Sequence, residues 1–188
     1  MEAKSTVSKS SVVDKPLSRG KNEVAASSFA FLFSEMVQYS QSKVDATQEL
    51  EKRLADAGYG IGLRVLELLS QREKGSRKEK NLVAMLQFIH TTVWKSLFGK
   101  AADGLEKSTE KEDEYYIYDK EPITNKYISV PKSLGQLNCA AYVAGIINGV
   151  LDGAEFTAEV SAHFSQQQVR TVYVIKFQSH VIRREPSG

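Results

Sequence analysis

The side chains able to do bond-making chemistry are few in this chain and stand far apart. Its three histidines, His90, His163 and His180, fall in three different stretches, and no His-x-x-x-His, Cys-x-x-Cys or Gly-x-Ser-x-Gly spacing occurs. Such spacings put two metal donors on one helix face or turn, or set a serine on a sharp elbow. A Ser/His/Asp set assembles in space and leaves no spacing behind; nothing here favours one. His90 stands among apolar neighbours with no second ligand four residues on, as a packed or surface histidine does. The single cysteine, Cys139, lies in NCAAYVAGIINGVL, from Asn138 to Leu151. A thiol in so apolar a stretch behaves as a small inert hydrophobe rather than a nucleophile. Gly58-Tyr-Gly60-Ile-Gly62 looks like a phosphate loop, but its spacing fits neither the dinucleotide nor the P-loop pattern, and no strand precedes it. It reads as a helix break followed by a tightly packed restart. No catalytic, metal-binding or cofactor-binding residue is assigned, and no cofactor.

The elements around these residues are clearer than their chemistry. Asn138–Leu151 is a core helix: Ala140, Val143, Ala144, Ile147 and Leu151 recur at helical spacing. Asn138 caps it by accepting a bond from a backbone N–H two or three residues on. Ala141, Gly145 and Gly149 make a second, flat stripe where another backbone can approach, against a cost of roughly 1 kcal/mol for each interior glycine. The stretch is too short to span a bilayer, which needs about 20 apolar residues.

Ahead of it, the periodicity predicts three helical stretches. The first, Ala26 to Lys43, is apolar nearly all round: Phe29, Leu32, Phe33, Met36 and Val37 form one face, with Phe31 and Tyr39 off it. Such a helix is buried on both sides, either deep within its own fold or with one side docked on a partner. A second helix opens at Asp45. Then REKGSRKEK, Arg72 to Lys80, carries five bases and two acids. It is a solvated loop on the plainer reading. On the sharper one Arg72, Lys74, Arg77, Lys78 and Lys80 form a basic patch facing anionic lipid. Leu82 to Phe98 is the most apolar helix, with Leu82, Met85, Leu86, Ile89 and Val93 inward and Phe88 and Trp94 to the side. Residues 99–113 read as a loop or frayed helix end. Strands follow at Tyr115–Tyr118 and Tyr127–Val130. After the core helix, Phe156 to Phe164 alternates with period two and Val169–Phe177 returns as its hairpin partner. Helices first, then a small antiparallel sheet with one inserted helix, make a two-layer α+β domain.

The 188 residues suit a flexible tail at 1–24 and a single domain at 25–185. A net charge of +2 sets up no field for nucleic acid, and one cysteine excludes an internal disulfide or a cysteine-rich zinc site. Without an apolar leader or an 18-residue apolar run, the chain is expected to be soluble and intracellular. Two functional classes stay open from residues alone. One is a stand-alone module holding an acyl chain or small apolar ligand; the other is an enzyme using Cys139.

Several runs together resemble a known family. They are Gly60-Ile-Gly62-x-Arg64 with Glu67, VWKSLFGKAADGLEK from Val93 to Lys107, EPITNKYISVPK from Glu121 to Lys132, and LNCAAYVAGII from Leu137 to Ile147. The chain is similar in these to the subunit-5 branch of the small-subunit family of TRAPP, the transport protein particle, over about residues 20–185. The resemblance implies an α+β fold with several helices on a four-stranded, twisted antiparallel sheet. It implies pairing through the N-terminal helix, with Phe29, Phe31, Leu32, Phe33, Met36 and Val37 as the interface. The implied neighbours are the palmitoylated paralogue of the same fold and a sedlin-like subunit. The implied setting is a complex that tethers vesicles and promotes nucleotide exchange on a Rab GTPase in ER-to-Golgi transport, cytoplasmic and peripheral on Golgi and ER membranes. In that family the exchange surface lies on other subunits, so this chain would be architectural. The paralogue's acylated cysteine sits near the loop corresponding to residues 74–80, which here has none; palmitoylation is not carried over to Cys139.

Overall fold

The computed structural model describes residues 24–72, 81–131, 135, 137–165 and 170–184. Helices come first: α1 (Ala26–Gln41), α2 (Thr47–Arg72), and α3 (Leu82–Phe88), which runs through a π-helical segment (Ile89–Val93) into α4 (Trp94–Phe98). Then come β1 (Gly104–Lys107), β2 (Glu114–Asp119), the one-turn α5 (Ile123–Lys126), α6 (Ala141–Gly153), β3 (Ala158–Ser165), β4 (Arg170–Phe177) and α7 (Ser179–Arg184). The strands form one antiparallel sheet in the order β1-β2-β4-β3. The α+β class and the helix inserted between two strand pairs are as the sequence predicts.

Alternation sets the two faces of this sheet. Ile117 stands opposite Tyr173, and Ile175 is flanked by Tyr115 and Val160. Ile117, Tyr173, Ile175 and Phe177 are buried against the helices, with the Trp94 ring edge-on to Tyr173 at 5.5 Å. The other face is polar and aromatic. The Arg170 guanidinium lies 3.7 Å from the Tyr118 ring centre, and the Tyr118 hydroxyl donates to Glu106 at 2.7 Å. Antiparallel sheets tolerate one solvated face in this way.

The core helix α6 lies directly against α2 through the glycines of both. A Cβ at Gly145 would fall on the carbonyl oxygen of Ala55, one at Gly149 on that of Tyr59, one at Gly58 on that of Tyr142, and one at Gly62 on that of Ile146. The flat stripe read from α6 therefore does carry a second backbone. The expected break at 58–62 is a correction, because α2 runs unbroken from Thr47 to Arg72. Glycine permits a break without imposing one, and here its missing side chain admits a neighbouring helix.

Two strand assignments are also corrected. Residues 99–113 contain β1, paired with β2 from Gly104↔Tyr118 to Lys107↔Tyr115. Tyr127–Val130 is not a strand. It follows α5, and Ile128 and Val130 pack into a second apolar cluster with Phe33, Val37, Leu50, Leu54, Leu137, Cys139 and Ala141. That cluster fastens α1 to the rest. The first helix ends at Gln41 and α2 begins at Thr47, each two residues from its expected bound.

Candidate functional site

Helix α1 has no side-chain N-cap bond and no acid in its first turn, so its ends contribute little. Its stability comes from packing. Phe29, Phe33, Met36, Val37 and Ser40 recur at three- and four-residue spacing and face inward. Phe33 is 3% exposed; it stacks on Phe29 at 5.4 Å and meets the Tyr142 ring of α6 edge-on at 5.3 Å. Burying a side chain such as Phe33 or Val37 contributes roughly 1.5–3 kcal/mol each.

The opposite face is where the helix is unusual. Phe31 is 76% exposed, Leu32 74% and Tyr39 63%. The only charged residue among the 16 in the helix is Glu35. Single exposed apolar side chains are ordinary, but three large ones on one face of a nearly uncharged helix are not. Depletion of charge with enrichment in aromatics is the composition of an interface centre. The six predicted interface residues thus divide: Phe31 and Leu32 face solvent, while Phe29, Phe33, Met36 and Val37 turn into the fold. Sequence placed Leu32 on the inward face and Tyr39 off it; Tyr39 belongs with Leu32 on the open side.

The other predicted patch lies almost wholly outside the described residues. Arg72 is the last residue of α2, and Lys74, Arg77, Lys78 and Lys80 follow where the description stops.

No reactive centre assembles among the described residues. Cys139 is 1% exposed, and its thiol is pushed up to about 11, first by burial and then by the nearby Glu51 carboxylate. That holds it protonated at neutral pH, where only a thiolate attacks. Asn138 beside it is not the N-cap expected, because α6 starts at Ala141 with Ala140 as its N-cap and no side-chain cap bond; the Asn138 side-chain oxygen accepts instead from Ala140 N–H at 3.1 Å, and its backbone N–H donates to Glu51 at 2.8 Å. Ser161 and His163 sit 2.8 Å apart on the exposed face of β3, but no carboxylate bonds the ring among the described residues. A nucleophile–base pair without that orienting group lacks the triad logic. His90 lies in the π segment, where its carbonyl accepts from Ala102 N–H at 3.0 Å, and His180 is exposed on α7. No group of three or more His, Cys, Asp or Glu side chains is placed to hold a metal ion among the described residues. The exposed apolar row on α1 is suited to docking.

The sequence profile described as "Transport protein particle (TRAPP) component" matches residues 29–178. The chain belongs to the TRAPP component family. Within that family it is 59% identical over 177 residues to trafficking protein particle complex subunit 5 of Dictyostelium discoideum, covering 92% of this chain and 95% of the relative. It is 45% identical over 185 residues to the human protein of the same name, covering 98% and 97%. It is 29% identical to subunit 31 of the complex from Saccharomyces cerevisiae, covering 98% and 86%. Among solved structures, subunit 3 from Naegleria fowleri, covalently bound to palmitic acid, superposes with a TM-score of 0.72 at 16% identity. That match covers 82% of this chain and 95% of the other. At that identity the likeness is one of fold, and it agrees with the TRAPP α+β architecture.

Proposed function

We propose that the chain is a non-catalytic, architectural subunit of the TRAPP vesicle-tethering complex, docking through the outer face of α1 onto a small-subunit paralogue of the same fold. The observation that carries this reading is the exposed row Phe31, Leu32 and Tyr39 on a helix whose other side is already buried. The paralogue is the palmitoylated one, and a sedlin-like subunit is a further neighbour. Exchange on the Rab GTPase belongs to the assembled complex, with its catalytic surface on other subunits. Attachment to Golgi and ER membranes is peripheral and comes through the complex; no helix among the described residues is long and apolar enough to cross a membrane.

The test is co-expression with the small-subunit paralogue, followed by size-exclusion chromatography with light scattering. Phe31→Asp with Leu32→Asp should abolish the heterodimer while leaving the far-UV circular dichroism unchanged, because neither side chain is part of the core. Central aromatic or aliphatic anchors contribute about 2 kcal/mol or more each, roughly a 30-fold loss in affinity apiece. A heterodimer that survives the double substitution sinks the interface. Charges at Phe33 or Met36 would not discriminate, since they would also unseat α1 from its own fold.

A further inference from the structure

The turn between β1 and β2 gathers acids around an exposed hydroxyl. β1 closes at Lys107 and β2 opens at Glu114, with STEKED, Ser108 to Asp113, between them. The turn is fixed at its two ends. Ser108 N–H donates to the Glu114 carbonyl at 2.9 Å, and the Asp113 carbonyl accepts from Phe177 N–H of β4 at 2.9 Å. The Ser108 hydroxyl oxygen accepts from the N–H groups of Glu110 and Lys111 at 3.3 and 3.2 Å, as serine does when it folds a turn over itself. Thr109 beside it is exposed, and its side chain makes no bond among the described residues. One hydroxyl of the pair holds the turn; the other is open to solvent.

The residues that follow Thr109 set it apart from every other hydroxyl in the chain. Acids stand one, three and four residues on, at Glu110, Glu112 and Asp113. Ser11, Ser42, Ser70 and Ser76 also have an acid three residues on, but none of them has one at the first or fourth place. Ser108 has Lys111 at its third place. An enzyme that reads acids with Lys and Arg side chains separates Thr109 from all of these. Such an enzyme binds its target extended. Residues 109–112 make no backbone–backbone bond among the described residues, so opening them locally costs little.

We propose that Thr109 is a phosphorylation site for an acid-directed Ser/Thr kinase, and that the phosphate draws Lys111 away from Glu114. The modification does not rest on the docking of α1. The bond from Thr109 Oγ1 to the γ-phosphorus of ATP forms as the bond to ADP breaks, and the hydroxyl proton is released. The product carries a charge of about −2 and three acceptor oxygens. Lys111 lies two residues away with its side chain 57% exposed, and pairs with the Glu114 carboxylate at 2.8 Å. Glu114 is buried and also accepts from the Tyr116 hydroxyl at 2.6 Å. A dianion attracts the ammonium more strongly than one carboxylate does, and Glu114 is then left with Tyr116 alone.

The test incubates the folded full-length chain with casein kinase II and magnesium ATP, and locates the phosphate by fragmentation mass spectrometry. The expected result is phosphate on Thr109, kept in Ser108→Ala, lost in Thr109→Ala, and added about 10-fold more slowly in Glu112→Gln. No incorporation, phosphate mainly on another residue, or Glu112→Gln as fast as the parent overturns the site. The change of partner is read separately, by following the Glu114 carboxyl carbon with NMR as pH falls. Its titration should move up on phosphorylation, because the Lys111 bond that most lowers it is withdrawn. A Glu114 titration that ignores the phosphate overturns that step.

Discussion

Gly145 sets the distance between α2 and α6, and Gly145→Ala measures how much of the fold depends on that distance. The added Cβ would land on the carbonyl oxygen of Ala55, with the Ala55 carbonyl carbon and Cα also within 3 Å. These are backbone atoms, so no rotamer relieves the overlap; the helix axes must part by about 1 Å. Overpacking of that kind costs typically 1–3 kcal/mol and occasionally more. The parting is shared by Gly149, Gly58 and Gly62, which loosens the whole contact. Helix propensity returns roughly 1 kcal/mol when glycine becomes alanine. With the cost in the upper part of that range, because four contacts share the parting, we expect a net loss of about 1–2 kcal/mol, or about 2–8 °C in Tm for a chain of this size. Gly60→Ala is the control. It lies in the same α2 segment with nothing within 4 Å of the added Cβ, and propensity alone should raise stability by up to about 1 kcal/mol. Thermal and urea unfolding followed by circular dichroism give both values. A Gly145→Ala variant as stable as the parent, or a Gly60→Ala variant equally damaged, would refute the close-approach account of α2.

Two further outcomes follow from titrating groups. Cys139 should resist a thiol reagent such as DTNB at pH 8 in the folded chain and react fully in denaturant. With the thiol at about 11 rather than 9.0, the thiolate population is about 100-fold lower even before access is counted, and stoichiometric labelling of the native chain would contradict its burial. Glu114 accepts bonds from Lys111 at 2.8 Å and from the Tyr116 hydroxyl at 2.6 Å, which hold its carboxyl below the ordinary range. A depressed folded value adds stability above the unfolded carboxylate's range and loses it as pH falls through the folded one. Urea midpoints between pH 7 and pH 3 should therefore fall less steeply for Glu114→Gln than for the parent. Identical slopes would show that the bonds do not bias protonation.

Which parts of this molecule could be read from the chain depends on how local their cause is. The core helix was legible because Ala140, Val143, Ala144, Ile147 and Leu151 need only their own spacing to announce burial, and all five are buried. The alternation from Phe156 to Phe164 announced β3 in the same way. β1 carried no such signal: Gly104-Leu-Glu-Lys has one apolar residue, and it is a strand because Tyr115–Tyr118 lies beside it. The reverse holds for Tyr127–Val130, whose strand-like composition yields to a place under α1.

Helix α1 shows the same limit at the candidate site. From FAFLF one learns that α1 is apolar on more than one side. Which side belongs to the fold was decided elsewhere, by Leu50 and Leu54 on α2 and Tyr142 on α6, which receive Phe33 and Val37 and leave Phe31 and Leu32 outside. Gly58, Gly60 and Gly62 divide on the same ground. In one dimension they are three equal breaks in a helix. In three dimensions two are contact points and one faces open space, because the backbone that distinguishes them comes from α6, more than 80 residues further along the chain. Periodicity is a property of neighbours in sequence; close approach is a property of neighbours in space.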